Sequence, residues 1–228
     1  MKNKIAGPAT MLKGIDISHY DGQVDFAKIK AAGCEFVFIK ATEGTDFVDA
    51  FFHTNWQGAK AAGIVRGAYH FFQPSVSVMK QADNFLKTVG LLEPGDLFPV
   101  IDAENPRLWK GITPRHAADL VITWLELVEK QLGVPGIIYA GDSFVRDILG
   151  ADARLAQSGR KLYLARYRKT IPPAPKPFAD WAFWQFSQTG TWPGIKGAVD
   201  LDLFKGSRAD LMALTKQAGS TSAPTDGR

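Results

Sequence analysis

Short apolar runs rich in Phe, Val, Ile and Tyr recur along the chain, with stretches of helical spacing between several of them. The runs KGIDIS, EFVFIKA, IVRGAYHFF, LFPVIDAE, PGIIYAG, KLYLARY, WAFWQFS and AVDLDLF predict strands. Helical spacing predicts helices over 25–32, 48–62, 76–89 and 115–132. In the last of these Ala117, Leu120, Val121, Trp124, Leu127, Val128 and Leu132 fall on one face at spacings of three and four. Its ends are marked as well: Thr113 is placed to cap, Pro114 suits the first turn, and Gly133 with Pro135 ends it. Gly33 and Gly63 close two other helices in the same way, each leading into a strand.

Strands alternating with helices predict an α/β fold with a mainly parallel sheet. Roughly eight strands favour an irregular, closed (β/α) TIM-like barrel over an open doubly wound sheet. Between Tyr163 and Phe204 no good helical pattern occurs, only the Pro-rich IPPAPKP and the turn-like QTGTWPG, so loops should join the last strands. No internal repeat and no linker to a second domain is visible. The expected organisation is an N-terminal extension over 1–12, one catalytic barrel over 13–214 and a flexible tail over 215–228.

Composition narrows this little further. The 228 residues, 46% hydrophobic, suffice for one sizeable core. The balance of 27 Lys and Arg against 23 Asp and Glu is mildly positive, and no long basic run accompanies it, so no nucleic-acid partner is expected. Cys34 is the only cysteine, which excludes an internal disulfide and reads as a small buried filler rather than a nucleophile. The N-terminus lacks an apolar stretch behind its lysines, so synthesis in the cytoplasm without a signal peptide is expected, and no run is long enough to span a bilayer.

Candidate chemistry begins at FPVIDAENP, where Asp102 and Glu104 stand one residue apart at the end of an apolar run. Residues i and i+2 of a strand share a face, and the C-terminal strand ends of a (β/α) barrel form the face on which active sites are built. An ionised Asp102 would raise the pKa of Glu104 and keep a proton available for a leaving oxygen. The bland alternative is a solvated strand end. Asp16 in GIDIS and the alternating Asp200 and Asp202 in VDLDLF add acids at two further strands. Tyr69, Tyr139, Tyr163, Tyr167 and Trp184 offer flat rings for sugar faces, and Gln185 and Gln73 offer amides, while core packing is favoured for Phe71, Phe183 and Phe186. His70 reads as readily as a satisfied core histidine as a catalytic one. No G-x-S-x-G, Walker, H-E-x-x-H or paired-cysteine motif is present. The acids would also suffice as oxygen ligands for Mg²⁺ or Ca²⁺, so a metal-dependent hydrolase stays open at this point.

Taken in order, GIDISHYDGQVDFAKIKAAGCEFVFIKATEGTDFVDAFF, AAGIVRGAYHFF, FPVIDAE, IIYAG, WQFS and VDLDLF resemble glycoside hydrolase family 25, the Chalaropsis-type lysozymes, over about residues 13 to 205. The resemblance implies an irregular β/α barrel that needs no cofactor or metal and cleaves the β-1,4 bond between N-acetylmuramic acid and N-acetylglucosamine in peptidoglycan. It implies general acid/base work for Glu104, a partner role for Asp102, further site acids at Asp16 and Asp200, and cleft positions for Tyr69 and Tyr139. It implies either attack by the substrate's own N-acetyl group, the preferred route, or a covalent intermediate on a carboxylate. Two departures stand out: Asp202 where the family commonly has Asn, and Tyr163 where it frequently has Trp. The expectation is a monomeric muramidase, in the setting of a phage endolysin, with a non-catalytic glycan-binding barrel as its rival.

Overall fold

The structure, a computed structural model, describes residues 11–219. Nine strands follow one another with helices between the first five of the barrel: β1 (Met11–Ile17), β2 (Phe36–Glu43), β3 (Phe47–Val48), β4 (Val65–Phe71), β5 (Val100–Asp102), β6 (Ile137–Gly141), β7 (Lys161–Ala165), β8 (Phe183–Gly190) and β9 (Val199–Lys205). The helices are α1 (Phe26–Ala31), α2 (Phe52–Ala61), α3 (Val78–Val89), α4 (Pro114–Leu132) and α5 (Arg208–Met212). Hydrogen bonding runs β1-β9-β8-β7-β6-β5-β4-β2, and β1 pairs with β2 to close an eight-stranded barrel, with β3 folded back on β2 as a short hairpin.

All the predicted strands and helices form. The structure adds one feature that apolar pattern does not encode: β9 runs antiparallel to both neighbours, while the other barrel strands are parallel. Asp200, at the beginning of β9, therefore faces Asp16 near the end of β1, and the two are paired across the strands. As expected, loops connect β7 to β8 and β8 to β9. Only one π-helical turn and one 3-10 turn lie between β6 and β7. In α4 Thr113 Oγ accepts the His116 N–H and Gly133 ends the helix at φ 66°, so the sequence signals for that helix act where they stand.

The barrel lumen is filled by rings. Phe36, Phe38, Phe183 and Phe204 are buried there in edge-on or tilted contact, with centroids 5.0–5.9 Å apart. The rings leave no room for side chains on the two strands that flank β2. A Cβ on Gly14 would meet the Phe36 ring at 2.4 Å, and one on Gly67 would meet Phe38 at 2.6 Å. This aromatic floor closes the lower barrel and confines polar groups to the end above it.

The ordered barrel is longer than 13–214 at both ends. β1 begins at Met11, where it pairs with Lys205, and Thr215 is buried and bridges Leu97, with Lys216 N–H donating to the Asp96 carbonyl. Residues 1–10 and 220–228, the remainder of the expected extension and tail, lie outside the described residues. Cys34 is fully buried and its thiol, donating to the Phe36 carbonyl at 3.1 Å, is pushed up to about 12 by burial, which leaves it a packing residue. Among the described residues no helix is long and apolar enough to cross a membrane.

Candidate active site

The period-2 alternation of the strands that carries the rings to the lumen also carries polar residues to its upper mouth. On β4 the face continues from Gly67 to Tyr69 and Phe71, on β2 from Phe38 to Lys40, on β8 from Phe183 to Gln185, and on β9 it runs back from Phe204 through Asp202 to Asp200. The resulting cleft, about 250 Å³, is lined by Asp16, Asp102, Glu104 and Asp200 together with Tyr69, Tyr139, Tyr163, Tyr167 and Gln185. These include every predicted site residue except one. Trp184 points the other way: it is buried against Trp181 and Phe186, and its indole donates to the Arg166 carbonyl at 2.7 Å. It alternates with Gln185 on the same strand, so only one of the two can face the cleft.

Sequence reasoning missed Tyr20, Phe71 and Lys40. Lys40 is the one basic side chain among the described lining residues. It is buried, donates to Glu43 at 2.7 Å and lies 5.0 Å over the Phe71 ring. The alternation Phe36, Phe38, Lys40 was sufficient to place it inward. Phe71, assigned to the core, forms part of the cleft wall beneath it.

The acids share one region, and burial raises all of them. Asp102 is buried and its Oδ1 has no hydrogen-bond partner; burial, then the nearby Glu104 and Asp16, hold its pKa well above the ordinary carboxylate value. Glu104 is half-buried, and its pKa is raised by burial and then by Asp16, with Lys40 pulling the other way. Within the pair Asp102 is the deeper group and its pKa is raised the further, and the acid that raises Glu104 is Asp16 rather than Asp102. Asp200 is pushed up to about 8, by burial first and Asp16 second. Asp202 proves to face the lumen, 1% exposed, beneath the Asp16–Asp200 pair.

Tyrosines and one amide tie this floor together. Gln185 Nε2 donates to Asp16 Oδ2 at 2.7 Å, while Gln185 Oε1 accepts from Tyr139 and Tyr167 at 2.8 and 2.9 Å. Tyr163 Oη lies within hydrogen-bond distance of both Asp16 and Asp202. His70, by contrast, stands on the outer face of β4, fully buried and stacked on Trp124. Its Nε2 donates to Gln81 Oε1 at 3.2 Å, Thr42 donates to its Nδ1 at 2.7 Å, and burial lowers its pKa to about 4. It is a satisfied core histidine. Among the described residues no group of three or more acids, histidines or cysteines is arranged to hold a metal ion.

Such a cluster makes stability depend on pH with a definite sign. The unfolded chain releases the Asp200 proton near 3.8, whereas the folded protein keeps it to about 8. Between those values the unfolded state binds fewer protons, so stability falls as pH rises. His70 acts in the opposite sense, but only as pH falls from 6.5 through about 4. Thermal melts between about pH 6.5 and 8 should therefore show a Tm falling by a few °C, and Asp200→Asn should flatten that slope. A Tm that rises across this interval would contradict the assignment.

The model of the family described as Glycosyl hydrolases family 25 matches residues 15–195. Lysozyme M1 of Streptomyces globisporus is 34% identical over 91% of this chain and 73% of its own length. The crystal structure of the bacterial lysozyme from Streptomyces coelicolor superposes with a TM-score of 0.85 at 34% identity, over 90% of this chain and 96% of that one. The lysozyme of Lactococcus phage mv1 is 24% identical over 81% of this chain and 96% of its length.

Proposed function

The chain belongs to glycosyl hydrolase family 25, and from that premise we propose that its cleft hydrolyses the β-1,4 bond between N-acetylmuramic acid and N-acetylglucosamine, with Glu104 as general acid and base. The family and its lysozyme relatives make the chain a glycoside hydrolase acting on peptidoglycan. The observation that carries the residue assignment is the pair at the end of β5: a half-buried Glu104 with a raised pKa beside a buried Asp102 whose Oδ1 is unpartnered. A carboxylic acid that keeps its proton near neutral pH is what a poor leaving oxygen requires. A buried acceptor without a donor is what the N–H of a 2-acetamido group would satisfy.

The steps follow from these positions. Glu104 gives its proton to the glycosidic oxygen as the C1–O bond breaks, and the acetamido oxygen of the same sugar closes on C1. Asp102 releases its proton to solvent as its Oδ1 takes the acetamido N–H, and the carboxylate then stabilises the positive charge that develops on that ring. Glu104, now a carboxylate, takes a proton from water whose oxygen attacks C1 and reopens the ring, so that configuration is retained. Tyr69 and Tyr139 wall the cleft and supply apolar faces for the sugars. The biological setting is lysis of a bacterial wall by a phage, which the similarity to the phage lysozyme supports.

Digestion of purified peptidoglycan in EDTA, with mass spectrometry of borohydride-reduced products, tests the reaction. Muropeptides ending in reduced muramic acid are expected. Reduced glucosamine ends would move the cut to the other bond, activity lost in EDTA and restored by a divalent cation would point to a metal-dependent hydrolase, and binding without products would point to a glycan-binding barrel.

A further inference from the structure

Tyr163 Oη lies 2.8 Å from Asp16 Oδ2 and 2.6 Å from Asp202 Oδ1. A phenol has one proton to donate. Two contacts this short cannot both be made by it, so one of the two carboxyl groups brings a proton of its own.

The surroundings decide which acid carries it. Asp16 is half-buried at the cleft and accepts from Gln185 Nε2 on the same Oδ2. With the amide in this orientation its Oε1 accepts from both Tyr139 and Tyr167, and its Nε2 gives Asp16 a donor. Asp202 is 1% exposed, and its Oδ2 has no partner. A negative charge there would be desolvated with one oxygen bare, whereas a charge on Asp16 is met by the amide and the phenol. The groups that face Asp202 add no relief: Asp16 from β1, Asp200 from its own strand, Tyr163 from β7 and Cys34 from the turn before β2, none of them a cation.

We propose that Asp202 is a positioning residue for the hydrolysis: it holds a proton beneath Asp16, turns the Tyr163 hydroxyl toward Asp16 and so keeps the negative charge on Asp16 at the cleft floor. The hydrogen-bond chain then has one direction, from Asp202 to Tyr163 to Asp16 and from Tyr139 and Tyr167 through Gln185 to Asp16. The position takes an acid here where an amide N–H could serve the same end, and the difference is that an acid can be titrated. Deprotonation of Asp202 at high pH reverses the Tyr163 hydroxyl and takes a donor away from Asp16. The inference rests on the hydrolytic reading above.

The test compares Asp202→Asn with Asp202→Ala, each alone and with Tyr163→Phe. Asn supplies an N–H to Tyr163 that cannot be titrated, so the alkaline limb of kcat/KM should move up by about one pH unit. Ala supplies nothing, and its kcat should fall about tenfold, with Asn restoring most of that loss. In the Tyr163→Phe background the limb shift should vanish, because the phenol transmits it. The wild-type-minus-Asp202→Asn infrared difference spectrum should carry the band of one buried protonated carboxyl beyond those that Asp102 and Asp200 contribute to both proteins, whether or not the protein turns over peptidoglycan, and it separates this inference from the activity itself. A limb that stays in place in Asp202→Asn, a loss in Asn as large as in Ala, or a difference spectrum without that band would each overturn it.

Discussion

Glu104→Gln is expected to lower kcat on peptidoglycan by about a thousandfold while leaving the fold intact. Gln is nearly isosteric with Glu but has no proton to transfer to the glycosidic oxygen and cannot take one from water, so both halves of the reaction lose their acid or base. The substitution spares what holds the segment. The Trp109 indole donates to the Glu104 backbone carbonyl at 3.1 Å, a contact indifferent to the side chain. Removing an acid whose pKa is raised by burial also removes a destabilising group, so Tm at neutral pH should be unchanged or slightly higher. KM should change little, because the loss lies in the transition state. Initial rates and melting curves on the same preparation check this. A folded variant that keeps more than a tenth of the wild-type kcat would remove Glu104 from the role and turn attention to Asp200, the acid whose pKa is pushed up to about 8.

The barrel was legible in the sequence because its strands are short, apolar and bounded by turn residues, and because helices at 3.6-residue spacing separate the first five. The direction of β9 was not. A strand that alternates as VDLDLF reads the same way in either direction, and only the helix-free connection over 191–198 leaves room for an antiparallel return. Asp16, Asp102 and Glu104 were visible as acids at strand ends, since charged residues seldom end apolar runs without a reason. Lys40 was equally visible by alternation but stood inside an apolar run, FVFIKA, where a lysine invites the reading of a side chain reaching out to solvent. Trp184 failed for the opposite reason: an aromatic residue in a strand is as much at home outside the barrel as inside it, and parity relative to Phe183 and Gln185 settled the matter. The ionisation order within the Asp102–Glu104 pair could not be read at all, because it depends on depth of burial.

That depth gives Asp102→Asn two opposite effects. Turnover should fall about a hundredfold, because an amide oxygen can accept the acetamido N–H but cannot supply a negative charge as the cyclic cation forms. Stability should rise. In the folded protein Asp102 is buried with Oδ1 unpartnered and a pKa held well above 3.8, so above pH 4 the unfolded chain gains by ionising a group that the folded chain keeps neutral. That penalty grows with pH up to the folded-state pKa and is absent for Asn. The gain in Tm should accordingly be larger at pH 8 than at pH 5, by a few °C, and the same comparison at Glu104, which is less buried, should give a smaller difference. Activity traded against stability at one position is the expected mark of a carboxyl group retained for chemistry rather than for folding. An Asp102→Asn protein that loses both activity and stability at pH 8 would show instead that the ionised carboxylate is anchored by a donor in the folded state, and the assignment of the resting proton to Asp102 would fall with it.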